Sequence, residues 1–318
     1  MLLRLVTARL VDLLFVLFGV SVIVFLMIRL IPGDAVAIML GANTEITPER
    51  MASLRERIGL DRPLVEQYFL WAGRALAGNL GTSLWTGRPV TSEIGANVGV
   101  TIELMVLSLA LGAGLAVPAG CAMAYVCGGA SDLALRLVTI VGITVPNFWL
   151  GIVLILLVSK LTPGFAALGH VPFASDPLGN LQRMILPTIA LSLPILAHLS
   201  RLVRTAMLDA LGQDYIRTAR AKGASERSVV YRHALRNALI PFVTGVGIMA
   251  GYLLGGAIVV EQVFALPGLG RLIVGAIMER NYPLIQAAIL LVTSTFVLVN
   301  FLVDLLYLAI DPRLRSAT

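Results

Sequence analysis

Residues 10–31 read LVDLLFVLFGVSVIVFLMIRLI, an apolar run with Asp12 close to one end and Arg29 close to the other. An α-helix rises about 1.5 Å per residue, so roughly 20 apolar residues carry a chain across a hydrocarbon core of about 30 Å. The run therefore predicts a transmembrane helix. Arg4 and Arg9 precede it as they would in a secretory leader, yet it reaches Ile31 without a small-residue cleavage site, which predicts a retained first span. Composition points the same way. Of the 318 residues 58% are hydrophobic and 13% charged, against about a quarter charged in a soluble domain.

Five more stretches are long and apolar enough to cross: Val98–Val126, Leu133–Ser159, Met184–Val203, Leu239–Val260 and Leu284–Ile310. An all-α polytopic membrane protein with six transmembrane helices follows. The fourth stretch is broken by Pro187 and Pro194 and carries His198, which predicts a helix inside the bundle, where neighbours satisfy the freed backbone groups. An even number of spans puts both termini on one side. The connection between spans four and five holds Arg201, Arg204, Arg217, Arg220, Lys222, Arg227, Arg232 and Arg236 against Asp209, Asp214 and Glu226. With Arg4, Arg9, Arg313 and Arg315 at the ends, the positive-inside rule predicts a cytosolic loop and cytosolic termini. The chain then divides into residues 1–31, an extracytoplasmic insertion 32–97, a transmembrane core 98–310 that includes the cytosolic loop 207–238, and a tail 311–318.

The net charge of +6 does not point to nucleic acid, because the cations lie in the connections between apolar blocks. Cys121 and Cys127 share one apolar segment and would be separated by about 9 Å of helical rise, so free, packed thiols are expected. No histidine or carboxylate accompanies them as a metal site would require. In the insertion, Thr47-Pro48-Glu49 predicts the start of a helix that Gly59 ends, and a second helix is expected over Val65–Ala77 with Gly78 as its stop. Residues 81–89, GTSLWTGRP, read as an irregular surface loop. The insertion fits either a cap over the bundle or a docking platform for an external partner.

An active transporter needs energy, and neither Lys160 nor Lys222 follows glycine in a phosphate loop, so no nucleotide is expected on this chain. An ion-coupled carrier would hold ionisable groups within its spans. The candidates are Asp12, Arg29, Glu103 and Asp304, and all but Glu103 fall near predicted span ends, where interfacial anchoring explains them. Intramembrane hydrolase motifs are absent, and His170, His198 and His233 are scattered.

The segment DYIRTARAKG, residues 214–223, predicts a short helix with Asp214 as cap and Gly223 in the left-handed terminal position. Ser225 then caps a second helix, expected to run from Glu226 to Pro241. Ala219 and Gly223 are four residues apart and share a face that admits close approach, with Thr218 beside it. Arg217, Arg220 and Lys222 surround them and suit a partner's carboxylates or helix C-terminus. By composition the segment fits anionic lipid equally well.

The run DYIRTARAKGASERSVVYRHA followed by LRNALIP, with EQVFALPGLG at 261–270, AIDPR at 309–313, IRLIPGDA at 28–35, GLDRP at 59–63 and GTS at 81–83, resembles the dipeptide and oligopeptide class of ABC importer permeases. The resemblance is to the first, B-type permease of the pair and covers nearly the whole chain. It implies the type I importer transmembrane fold and a place in the bacterial cytoplasmic membrane. In that class the loop is the E-A-A coupling motif, seated in a cleft of the ATPase. Its first three positions fall on Arg217, Thr218 and Ala219 and its glycine on Gly223, with arginine where the general motif has glutamate. The implied partners are a second permease, two ATP-binding subunits carrying ATP and Mg, an extracytoplasmic substrate-binding protein, and membrane lipid. The rival readings are a secondary transporter and a non-transporting scaffold.

Gly247, Gly251 and Gly255 recur every four residues in span five, a stripe suited to close helix packing or to lining a pathway. Asn147 beside Pro146, and Asn300 in span six, are the polar pathway candidates, with kinks expected at Pro118 and Pro146. The segment from Phe264 to Arg271 reads as a re-entrant or interfacial turn, or as an ordinary connection.

Overall fold

The structure, a computed structural model, describes residues 2–30, 62–126 and 128–310. Among these the elements are α1 (Leu2–Leu30), α2 (Leu64–Leu76), α3 (Val90–Tyr125), α4 (Ala130–Thr144), α5 (Asn147–Leu161), α6 (Pro177–Leu211), α7 (Asp214–Ala221), α8 (Glu226–Val263), α9 (Leu269–Met278) and α10 (Tyr282–Ile310). Five helices, α1, α3, α6, α8 and α10, are long and apolar enough to cross a membrane, and α4 with α5 make a sixth candidate as a bent pair. The helix expected from Thr47, the sequences around Pro32 and Gly59, Cys127 and the tail from Asp311 lie outside the described residues.

The third expected span departs most from a simple rod. Its two halves meet at 104°, far beyond a kink. Pro146 has no N–H and pushes the preceding residue from helical geometry, so Val145 is extended at φ −71 and ψ 123. The helix restarts at Asn147, whose Oδ1 accepts the Phe148 N–H at 2.9 Å. Span two begins at Val90, earlier than hydropathy alone suggests, and Pro118 sits inside α3. Span four is also longer than its apolar stretch. Asp176 accepts the Gly179 N–H at 3.0 Å, Pro177 takes the first turn, and α6 runs through both prolines to Leu211.

Contacts group the chain into two compact units. One contains residues 99–271 and 298–310 with the N-terminal turn; the other contains the described residues of 8–98 and residues 272–297. In the first, α6 is the axis. It packs against α4, α5 and α8, and Met184, Leu191, Ile195, Leu199, Val203 and Met207 along it are buried. α3 joins through glycines. A Cβ on Gly112 would stand 2.8 Å from Ile195 and one on Gly120 2.6 Å from Val203, so only glycine permits this approach.

In the second unit, α2 packs on α1 through an aromatic cluster of Phe18, Phe25, Tyr68 and Trp71. Residues 81–89 are not irregular. Thr82 pairs with Pro89 as an antiparallel bridge, and buried Asn281 donates to Ser83 Oγ at 2.8 Å while accepting the Leu84 N–H at 3.2 Å. Trp85 Nε1 donates to the Glu279 carbonyl at 2.7 Å. A turn that looks loose by composition is thus pinned by one buried amide far along the chain.

Candidate functional site

The basic loop folds as a corner. α7 starts at Asp214, preceded by Gln213, and Asp214 does not cap it; as the first helical residue it points outward and meets Arg217 at 3.5 Å. An acid at that position still favours the N-terminal end of the helix dipole. At the other end Gly223 adopts φ +80, with its N–H on the Arg220 carbonyl at 2.9 Å and the Ala224 N–H on the Ala219 carbonyl at 3.1 Å. These two bonds form a Schellman motif, which requires the left-handed residue that glycine supplies. Ser225 Oγ then accepts the Ser228 N–H at 3.4 Å and opens α8.

Across the corner Arg220 Nε donates to Glu226 Oε1 at 2.8 Å and Nη2 donates to Oε2 at 3.2 Å. The Glu226 carboxylate, by hydrogen bonding first and charge second, pushes the Arg220 guanidinium further toward its charged form. Arg220 is therefore engaged within the chain, whereas Lys222 is solvated and Arg217 makes an exposed pair with Asp214. Thr218 turns its hydroxyl to the Asp214 carbonyl at 3.0 Å, and Ala219 is half-buried.

What fastens the corner is apolar. Ile216, fully buried, packs in a cluster with Val203, Met207, Val229, Ala234 and Ala238. Tyr215 adds a hydroxyl that accepts from Asn237 Nδ2 at 2.7 Å. α8 does not stop at Pro241 but continues to Val263, 38 residues in all. An interior proline costs about 3 kcal/mol, which packing on either side of it offsets: α8 lies along α6, with Ala238 and Gly245 buried, and Gly247 is buried against α10. The ladder widens to a π segment over Val229–Ala234, just past the corner.

Below the corner, Asp132 at the start of α4 is fully buried. It accepts from Arg204 Nε at 3.3 Å and Nη2 at 3.2 Å, from the Gly128 N–H at 3.1 Å, and from Arg136. Arg204 lies two turns before the end of α6, and only Gly212 and Gln213 separate that end from α7.

At the far end of α8, Glu261 is buried too. Thr101 Oγ1 donates to its Oε1 at 2.6 Å and itself accepts the Leu269 N–H at 2.8 Å, while Oε2 accepts the Arg271 N–H at 3.1 Å. The carboxylate thus caps the first turn of α9, whose positive dipole end it faces. Gly268 and Gly270 lie so close to it that a side chain on either would overlap the carboxylate. Between them and α8 the chain reverses at Ala265, φ +54, so the Phe264–Arg271 segment is a turn entering a short apolar helix.

The small and polar pathway candidates do not form one group. A Cβ on Gly247 would overlap Val303 of α10, one on Gly245 would meet Leu202 and Leu199, and one on Gly256 would stand 2.9 Å from Asn147 Nδ2. Gly251 is buried, while Gly255 is exposed with open space beside it. Asn147 sits at the α4–α5 break against α8, and Asn300 is half-buried on α10. Glu103 of α3 pairs with His170, its Oε2 3.2 Å from Nε2. Among the described residues no cluster of His, Cys, Asp or Glu fits a metal ion.

The sequence reading did not single out Ile216, Asp132 or Thr101, and it counted Arg204 only among the loop's cations. Ile216 is the one large aliphatic side chain in DYIRTARA and was legible as its buried face; the other three act through partners distant in sequence.

Comparison with known proteins spans the chain. Residues 2–105 match the family described as binding-protein-dependent transport system membrane component, N-terminal, and residues 116–316 match binding-protein-dependent transport system inner membrane component. A probable peptide ABC transporter permease protein of Sinorhizobium fredii is 40% identical over 307 residues, 96% of this chain and 97% of its own. A putative peptide transport system permease protein of Brucella melitensis is 39% identical over 315 residues, 99% of each. The dipeptide transport system permease protein of Escherichia coli is 39% identical over 320 residues, 93% of this chain and 94% of its own.

Proposed function

The chain belongs to the family of binding-protein-dependent transport system inner membrane components, and on that premise we propose that it is the channel-forming permease of an ATP-driven importer of short peptides. The observation that carries the reading is similarity to peptide permeases along nearly the full length, including the loop that forms the α7–α8 corner. On this reading a second permease pairs with it, two ATP-binding subunits carry ATP and Mg, and an extracytoplasmic binding protein delivers substrate. Both termini and the corner face the cytosol of a bacterium, across its inner membrane.

Coupling is mechanical. Closure of the ATPase dimer moves α7, and Arg217, Ala219, Lys222 and Gly223 are the contacts that differ between its states, with Asp214 and Thr218 holding the first turn. Arg220 keeps the corner's angle through Glu226. Asn147, Gly255 and Asn300 are proposed to line the substrate path, and Gly247 and Gly251 to pack helices.

The test is reconstitution of the co-expressed complex in proteoliposomes with its binding protein and labelled peptides. We expect peptide-stimulated ATP hydrolysis and uptake, and Gly223→Val to keep hydrolysis while losing most uptake. Uptake that persists without the ATPase and collapses with the ion gradient would establish a secondary transporter instead. A complex without peptide-stimulated hydrolysis would point to a scaffold.

A further inference from the structure

Helix α2, LVEQYFLWAGRAL, has three flanks with different chemistry. The first seats on α1. Tyr68 meets Phe18 and Phe25 edge-on at 6.0 and 5.3 Å and shares a hydrogen bond with Ser21 at 2.7 Å, and Trp71 tilts over Phe25 at 5.7 Å. The second flank is apolar and uncovered: Val65, Phe69 and Leu76 are 68%, 65% and 91% exposed. With Ala72 they fall within an arc of about 60° at about 100° per residue. The third flank carries Glu66, paired with Arg62 at 2.6 Å, and Arg74. It is centred about 130° from the apolar arc, with Leu70 its one apolar member.

The depth of the seat identifies what covers the apolar arc. Phe18, Ser21 and Phe25 all lie within the apolar span Arg9–Met27 of α1. Tyr68 therefore sits beside the interior of α1's apolar run, which the sequence carries on to Ile31, and not beyond its end. Phe15 and Ile23 of α1 are themselves largely exposed, as lipid-facing residues of a span are. A helix fixed at that depth, with one flank on the span, one apolar and one charged, has the pattern of an interfacial amphipathic helix. Its tyrosine and tryptophan are the residues that favour the headgroup level.

We propose that α2 is a lipid-surface helix: Val65, Phe69, Ala72 and Leu76 enter the acyl region of the leaflet at the C-terminal end of α1, and Glu66 and Arg74 face water. The segment after the first span is then in part a membrane anchor. The inference needs only that α1 crosses the membrane, and it holds whether or not import is ATP-driven.

The experiment uses the full complex in phosphatidylethanolamine–phosphatidylglycerol vesicles, with Cys121→Ala and Cys127→Ala as background and one spin-labelled cysteine at a time at Val65, Phe69, Leu76, Glu66 or Arg74. Relaxation by oxygen is expected to exceed relaxation by a water-soluble nickel chelate several-fold at Val65, Phe69 and Leu76, and the order to reverse at Glu66 and Arg74. Labels on the apolar arc shielded from both reagents would overturn the proposal in favour of a covering protein, the second permease or the binding protein. Ready access of nickel at all five would place the helix in water. Where a cysteine variant fails to assemble, the fluorescence added by Phe69→Trp is read against the unsubstituted complex in vesicles of brominated lipid. Quenching by acyl-chain bromine supports the proposal and its absence overturns it.

Discussion

Arg204 of α6 grips Asp132 of α4 through two guanidinium nitrogens, at 3.3 and 3.2 Å, around a carboxylate with no exposed surface. Buried ion pairs seldom add stability over apolar packing, but removing one member leaves charge in a low-dielectric interior. We expect Asp132→Ala to melt below the double variant Asp132→Leu, Arg204→Met, as followed by thermal unfolding in detergent. Equal melting would mean that the pair has no energetic role.

Ile216 holds the corner to the bundle. Ile216→Ala is expected to cost about 3 kcal/mol, as for a buried aliphatic truncation. The loss should appear as faster amide exchange over residues 214–234, with α6 near Met184 unchanged. Arg220→Ala removes only an exposed ion pair, so thermal stability should hold within error. Any loss of uptake in that variant reports the corner's angle or its partner.

Glu261 satisfies a buried hydroxyl and the first turn of α9. Glu261→Ala strips the Thr101 hydroxyl and the Arg271 N–H of their acceptor, at about 1–3 kcal/mol for a buried donor, and is expected to be more damaging than Glu261→Gln, which retains one carbonyl oxygen. Gly268→Ala, which drives a methyl into the same carboxylate, should resemble Glu261→Ala. Yield of folded protein by size-exclusion chromatography ranks the three.

The glycines of α8 separate by role. Gly247→Leu must displace Val303 and is expected to cost about 1–3 kcal/mol by overpacking, lowering the melting temperature. Gly255→Leu meets open space and should fold normally. If Gly255 borders the substrate path, that variant loses uptake with its melting temperature intact.

Features governed by local rules were legible in the sequence. The spans followed from apolar length, Ser225 from its capping position, and the turn at Gly223 from the need for positive φ. Reading failed where a local rule met tertiary packing. Pro241 reads as a stop because a proline breaks an isolated helix, yet contact with α6 carries α8 through it. Pro146 reads as a kink, but nothing local sets the 104° between α4 and α5. Glycines four apart read as one stripe, whereas Gly247 and Gly255 meet different surroundings because their neighbours come from other helices. Asp132 and Arg204 lie 72 positions apart, and no periodicity links them.

The 38 residues of α8 make a strut about 57 Å long, with the Arg220–Glu226 corner at one tip and the Glu261 cap of α9 at the other. A tilt of about 5° about one tip would sweep the other through roughly 5 Å. On the proposed coupling mechanism, the two faces of the membrane are synchronised by leverage in a single rod. The widened turn at Val229–Ala234 is then the joint whose stiffness sets how much of that stroke is delivered and how much is lost to bending.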